Sequence, residues 1–191
     1  MWFQVTDPAE PADVEAVLVA LRGATARCGR TAVVAVDGPS GAGKTTLAKG
    51  LADALGCPVV HMDELYPGWD GLAAAVPLLV GEVLEPLARG RRATYRVWDW
   101  EAGARGGPRS VDPGPHLVVE GCGSSVGPAA GYAAVRVWVE APREERMRRG
   151  VARDGETFRP HWERWADQED ALFTADRTRE RADVVVSTEG R

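Results

Sequence analysis

The sequence predicts an α/β protein in which a mostly parallel, five-stranded sheet lies between two layers of helices. Two observations predict it. Short apolar runs rich in valine alternate along the chain with segments whose apolar residues recur at helical spacing. A glycine-rich turn also separates the first of those runs from the helical segment after it. With 191 residues and 45% hydrophobic content, the chain can bury one sizeable core, so residues 1–191 are expected to form one domain.

The elements follow in order. Residues 12–27 place Val14, Val17, Leu18 and Leu21 on one helical face, behind the breakers Pro8 and Pro11. Residues 31–37, TAVVAVD, are too few for a helix and continuously apolar, as in a strand covered on both faces. After the glycine-rich turn, residues 45–55 read as a helix that stops at Gly56, and 58–62 as the second strand. In residues 72–88, Val76, Leu79, Val80, Val83, Leu84 and Leu87 repeat at helical intervals, with Pro77 tolerated or kinking. Residues 90–115 are rich in Arg, Gly, Pro and Trp and read as an irregular loop. Further buried strands are expected at 117–121, 135–139 and 183–187, with a charged, mostly helical stretch at 143–176.

Composition excludes several classes of function. A net charge of −5 and a pI near 5.3 offer no basic field for a nucleic-acid polymer. Cys28, Cys57 and Cys122 are odd in number and widely spaced, giving neither a disulfide framework nor a zinc knuckle. No apolar stretch reaches the roughly 18 residues that span a bilayer, and residues 1–11 carry acids where a signal peptide carries bases. The expected location is the cytoplasm, with no membrane partner. Lysine occurs only at Lys44 and Lys49, so the positive charge is almost all arginine. A lysine kept in such a background points to a need for a compact, flexible ammonium.

Lys44 lies where that need exists. Gly38, four residues, Gly43, Lys44 and Thr45 fit the phosphate-loop pattern G-x-x-x-x-G-K-[ST], with a strand before and a helix after. Gly38, Ser40, Gly41, Ala42 and Gly43 would turn their amides toward a triphosphate, and the helix N-terminus adds partial positive charge. Lys44 would reach the β and γ phosphates, Thr45 would ligate Mg²⁺, and Thr46 would contact the α phosphate. The expected cofactors are therefore ATP and Mg²⁺.

In a parallel sheet, ligands sit beyond the carboxyl ends of the strands. The second strand delivers Asp63 there, suited to a general base on a substrate hydroxyl, and the strand at 117–121 delivers Glu120, suited to holding Mg²⁺ or its water. Either acid alone reads equally well as a cap or a surface carboxylate; their convergence makes the case. Asp37 also ends a strand and is as readily structural. Arg146, Arg149 and Arg153 fall three and four apart and share a helical face, where they could neutralise charge developing on the phosphates. The same REERMRR run also suits a solvated, ion-paired helix.

These residues resemble those of the P-loop small-molecule kinases of the uridine kinase and phosphoribulokinase-like family. DGPSGAGKTT is similar to the family's nucleotide loop, MDELY to its acidic acceptor segment and VVEG to its third-strand acidic motif. The resemblance implies a P-loop NTPase fold with a helical lid at about 143–160 and an acceptor-binding insertion at about 63–115. It implies that Asp63 acts on the acceptor hydroxyl and that Tyr66 lines its pocket. WDW, residues 98–100, resembles an aromatic-Asp segment that contacts the acceptor, so Arg96, Trp98 and Asp99 are expected there. Arg148, Arg149, Arg153 and Asp154 resemble the lid pattern. Ala102, Gly103 and Ala104 stand where that family carries a histidine.

The expected activity is ATP-dependent phosphoryl transfer to a hydroxyl of a small-molecule acceptor, a nucleoside among the candidates. Arg89, Arg91, Arg92 and Arg96 could instead hold an acceptor phosphate, which gives a nucleoside monophosphate kinase as the alternative. A regulatory, ATP-driven protein without an acceptor is a third reading. GTP recognition through an Asn-Lys-x-Asp element is impossible, because the chain has no asparagine. A homodimer is compatible with all three.

Overall fold

The structure, a computed structural model, describes residues 8–155 and 159–191, with only the backbone of 153 and 154. Helix α1 (Pro11–Arg22) is followed by β1 (Ala32–Asp37), α2 (Lys44–Leu55) and β2 (Val59–His61). A long helical rod then runs as α3 (Leu72–Leu78), a π-helical stretch (Leu79–Leu84) and α4 (Glu85–Ala88). Strands β3 (Ala93–Asp99), β4 (Ala104–Val111), β5 (His116–Glu120) and β6 (Ala133–Glu140) come next, then α5 (Arg143–Asp154), α6 (Trp162–Asp176) and β7 (Val184–Ser187).

The main sheet is five-stranded, in the order β2-β5-β1-β6-β7, with every pairing parallel. Its strands alternate their side chains between two cores. Val34 and Val36 of β1, Val118 of β5 and Val135, Val137 and Val139 of β6 pack with α1 and α2 through Val17, Leu21, Leu47 and Leu51. Val33, Leu117, Val119 and Trp138 face the other way, toward Leu72, Leu79, Val83 and Leu87 of the helical rod and Trp165 and Phe173 of α6. A strand covered on both faces needs mostly apolar residues, which is why β1 and β5 read as apolar runs and β6 as one broken only by Arg136, paired with Asp183.

Two expectations need correction. The first helix ends at Arg22, capped by the backbone N–H of Gly23, and does not continue to residue 27. Residues 90–115 are not an irregular loop, because β3 and β4 pair as an antiparallel hairpin apart from the main sheet. Tyr95 and Ala93 anchor that hairpin in the core, and Thr94 and Ser110 bond across it at 3.0 Å. Its second strand, ARGGPRSV, carries two glycines and a proline, so propensity hid it. Pro108 is tolerated because the hairpin has only two strands and both are edges. In the rod, the chain widens into the π-helical stretch between Pro77 and Pro86, each of which lacks a backbone donor.

Candidate active site

Because all five main strands run parallel, the ends of β1, β2 and β5 lie along one edge. The glycine-rich loop leaves β1 there and enters α2 at Lys44. Gly43 precedes that helix with φ +95°, no side chain caps it, and its first turn holds no acid. Its N-terminal amides are thus left to an outside anion.

Two of the loop's glycines are required by packing. A Cβ on Gly38 would lie 2.1 Å from the Val139 carbonyl oxygen, and one on Gly41 2.3 Å from that of Arg146. Both also have positive φ. The loop is pressed between the end of β6 and the first turns of α5, so any side chain would push the neighbouring backbone away.

Asp37, the last residue of β1, is fully buried. Its carboxylate accepts N–H bonds from Gly38, Gly123 and Ser125, each at 2.8 Å, and the Ser125 hydroxyl at 2.9 Å. Burial pushes its pKa up, and those four donors pull it back. Asp37 therefore ties the start of the loop to the turn after β5, the structural role that its position left open.

Lys44 is buried, with Nζ donating to the Pro39 carbonyl at 2.9 Å and reaching Cys122 Sγ at 3.5 Å. Burial disfavours its charge, but the acidic groups of Cys122, Glu169, Glu120 and Asp37 outweigh that and hold its pKa above the ordinary lysine value. It is a cation already balanced by carboxylates.

Glu120, at the end of β5, is buried and accepts two bonds on one oxygen, from the Thr45 hydroxyl at 3.3 Å and from His61 Nδ1 at 2.6 Å. His61 is shielded, which lowers its pKa, yet Glu120, Glu64 and Asp63 raise it more, for a net upward shift. Among the described residues, no group of three or more His, Cys, Asp or Glu could hold a metal alone. Mg²⁺ keeps water and phosphate oxygens and takes few protein ligands, and the Thr45 hydroxyl and Glu120 carboxylate are oxygen donors of the kind that could hold it.

Asp63 stands in the 3₁₀ turn Met62–Glu64, directly after β2, on the same edge as Glu120. Its carbonyl accepts the indole N–H of Trp100 at 3.0 Å. Next to it, buried Glu64 accepts the Tyr95 hydroxyl at 2.7 Å and pairs with Arg109, which binds the hairpin to this turn. Trp69 stacks on His161, with ring centroids 4.3 Å apart, and tilts against Trp100 at 4.8 Å.

Tyr66, Arg96, Trp98, Asp99 and Arg149 have protein partners of their own. Tyr66 is buried and donates to the Cys122 carbonyl at 2.9 Å. Arg96 donates to the carbonyls of Gly106 and Arg105 within the hairpin, and Arg105 lies over the Trp98 ring. Asp99 accepts the amides of Glu101 and Ala102 and shapes the hairpin tip. Arg149 reaches Gly41 O at 3.4 Å and Thr188 O at 2.7 Å, bracing the outer side of the loop. The side chain of Arg153 lies outside the described residues.

Sequence reasoning missed Glu169 and Cys122. Glu169 is 1% exposed and accepts the Ser40 N–H at 2.6 Å. Its one signal was positional: Trp162, Trp165, Ala166, Glu169 and Phe173 share the buried face of α6, and a carboxylate on an apolar stripe is out of place. Nothing in the sequence marked Cys122, the second residue after Glu120.

Fold and site together define a P-loop nucleotide-binding α/β protein. Residues 34–171 match the family described as "AAA domain", and the chain belongs to that family. It is 33% identical over 129 residues to a cytidylate kinase of Ignicoccus hospitalis, covering 66% of this chain and 67% of that one. It is likewise 33% identical over 121 residues to a cytidylate kinase of Deinococcus radiodurans, across 56% of this chain. Here the chain spans about half the length of the relative, 52%. A solved structure described as a possible uridine kinase from Bacillus stearothermophilus shares the fold, with a TM-score of 0.66 and 22% identity over 93% of this chain and all of that one. None of the helices among the described residues is long and apolar enough to cross a membrane.

Proposed function

We propose that this protein transfers the γ-phosphoryl group of ATP to a hydroxyl of a small molecule. The observation that carries the reading is the bond between Thr45 and Glu120 on the edge where Asp63 also emerges. It ties the phosphate loop after β1 to a metal-suited acid on β5, and Asp63 follows β2, the strand paired with β5. The amides of Gly41, Gly43, Lys44, Thr45 and Thr46, with the Lys44 ammonium, hold the phosphates, while the N–H groups of Gly38 and Ser40 stay on Asp37 and Glu169. Thr45 and Glu120 would hold Mg²⁺, which would supply positive charge to the phosphate oxygens. Asp63 takes the acceptor's proton as the acceptor oxygen bonds to the γ phosphorus and the bond to the bridging oxygen breaks, leaving ADP. Arg149 and Arg153 are assigned to neutralising charge on the transferring group, and Tyr66, Arg96, Trp98 and Asp99 to the acceptor side.

A neutral acceptor is supported by where the insertion's arginines point. Arg89 pairs with Glu85, Arg92 with Asp112 and Arg109 with Glu64, while Arg96 is bonded to backbone carbonyls. Of the four arginines that could hold an acceptor phosphate, Arg89, Arg92 and Arg96 have such partners, with which a phosphate would compete. The relatives named cytidylate kinase favour the second reading, a nucleoside monophosphate acceptor.

The deciding experiment is a mass-spectrometric product screen with ATP, Mg²⁺ and a mixed library of nucleosides, nucleoside monophosphates, sugars and vitamins. A phosphorylated neutral alcohol is the expected product. A diphosphate formed from a monophosphate establishes the second reading, and ATP consumption indifferent to every acceptor overturns both in favour of a regulatory NTPase.

A further inference from the structure

Beyond the acids at the strand ends, the molecule buries a second ionisable cluster against the loop. Glu169 Oε1 accepts the Ser40 N–H at 2.6 Å and the Cys122 thiol at 3.2 Å. Cys122 Sγ lies 3.5 Å from Lys44 Nζ, so the contacts run from Ser40 through Glu169 and Cys122 to the loop lysine. Glu169 Oε2 faces Arg146 NH1 at 3.6 Å, and that same nitrogen donates to the Ser40 carbonyl at 3.1 Å. The Ser40 residue is thus held at both ends, its N–H by α6 and its C=O by α5. Arg146 is itself fixed over the Trp162 ring, 5.7 Å from the centroid. Burial favours a neutral Glu169, whereas Lys44, the Ser40 amide, Cys122 and Arg146 favour the carboxylate; the net direction is upward.

Sealing a carboxyl group at 1% exposure on the apolar face of a helix is costly unless its partners repay it. The partners here belong to the phosphate loop itself. We infer that Glu169 is a positioning residue: from α6, the helix beyond the lid, it fixes the crest of the phosphate loop at Ser40 and orients Lys44, so that α6 sets nucleotide affinity. The inference rests on the phosphate-loop reading above and on no particular acceptor. The mechanism is preorganisation, since a loop held in its binding conformation before the nucleotide arrives loses less freedom on binding.

The test is equilibrium binding of a fluorescent N-methylanthraniloyl ATP with Mg²⁺, without acceptor, well below the melting temperature of each variant. E169A should weaken binding about 10-fold or more, the loss of a charged hydrogen bond at the loop. E169Q keeps an oxygen that accepts the Ser40 N–H and should stay within about 3-fold of wild type. E169D keeps the charge but falls one methylene short of Ser40, and it should bind more weakly than E169Q. An E169A protein that melts earlier yet binds within about 2-fold of wild type has lost only packing, and that overturns the inference. If E169A does not fold, E169D binding as tightly as wild type overturns it as well. A wild-type protein that binds no nucleotide brings down the phosphate-loop reading itself, an outcome distinct from either.

Discussion

The Thr45 hydroxyl stands 3.3 Å from a Glu120 carboxylate oxygen although 75 residues separate them in the chain. The parallel pairing of β1 with β5, Val36 opposite Glu120, brings the loop after β1 beside that acid. The first residue of the loop and the acid of β5 leave the sheet at the same level. Chemistry at this edge can therefore be tested one residue at a time.

Lys44→Ala is expected to abolish nucleotide binding, measured by titration calorimetry with ATP and Mg²⁺. It should also lower the melting temperature, because Glu169, Glu120 and Asp37 lose the cation that balances them. Leaving a buried charge unpaired costs about 3–5 kcal/mol.

Asp63→Asn is expected to keep ATP affinity and to lose turnover by roughly 10²–10⁴-fold, the range for removing a general base. The two variants separate holding the nucleotide from activating the acceptor. Equal loss of ATP binding in both would show that Asp63 serves the nucleotide.

Gly41→Ala should destabilise the fold without touching any charged group. Its Cβ would lie 2.3 Å from the Arg146 carbonyl oxygen at φ +78°. Strain of this kind costs on the order of 1–3 kcal/mol, about 2–4 °C in melting temperature per kcal/mol for a chain of this size. An unchanged melting temperature would mean that α5 does not press on the loop.

Stability should also depend on His61. Its pKa is raised in the folded state above the ordinary 6.5, so the protonated ring stabilises the protein. That contribution is complete below the unfolded value and is lost as pH rises through the folded one. Urea midpoints of wild type and His61→Gln, compared from about pH 5.5 to 8.5, should converge toward the alkaline end. A gap that stays constant across the range removes the His61–Glu120 ion pair from the account.

The central strands of the main sheet were legible because they are covered on both faces and so read as apolar runs, as in residues 32–37 and 116–120. The hairpin was not. Its second strand is mostly exposed, and its pairing depends on Tyr95 reaching Glu64 and on Glu64 meeting Arg109, contacts 31 and 45 residues apart. Glu169 was hidden for a similar reason: in DQED it looks like any solvated acid until the turn of α6 carries it inward.

The sequence alone determined that this chain makes a phosphate loop between a buried strand and a helix, since glycine spacing, a retained lysine and an adjacent hydroxyl are local matters of backbone freedom and reach. Tertiary structure decided which acids share that loop's edge, which arginines are already committed to protein partners, and that a carboxylate from α6 grips Ser40. Those facts depend on strand order and helix rotation, which bring together residues that no local pattern connects.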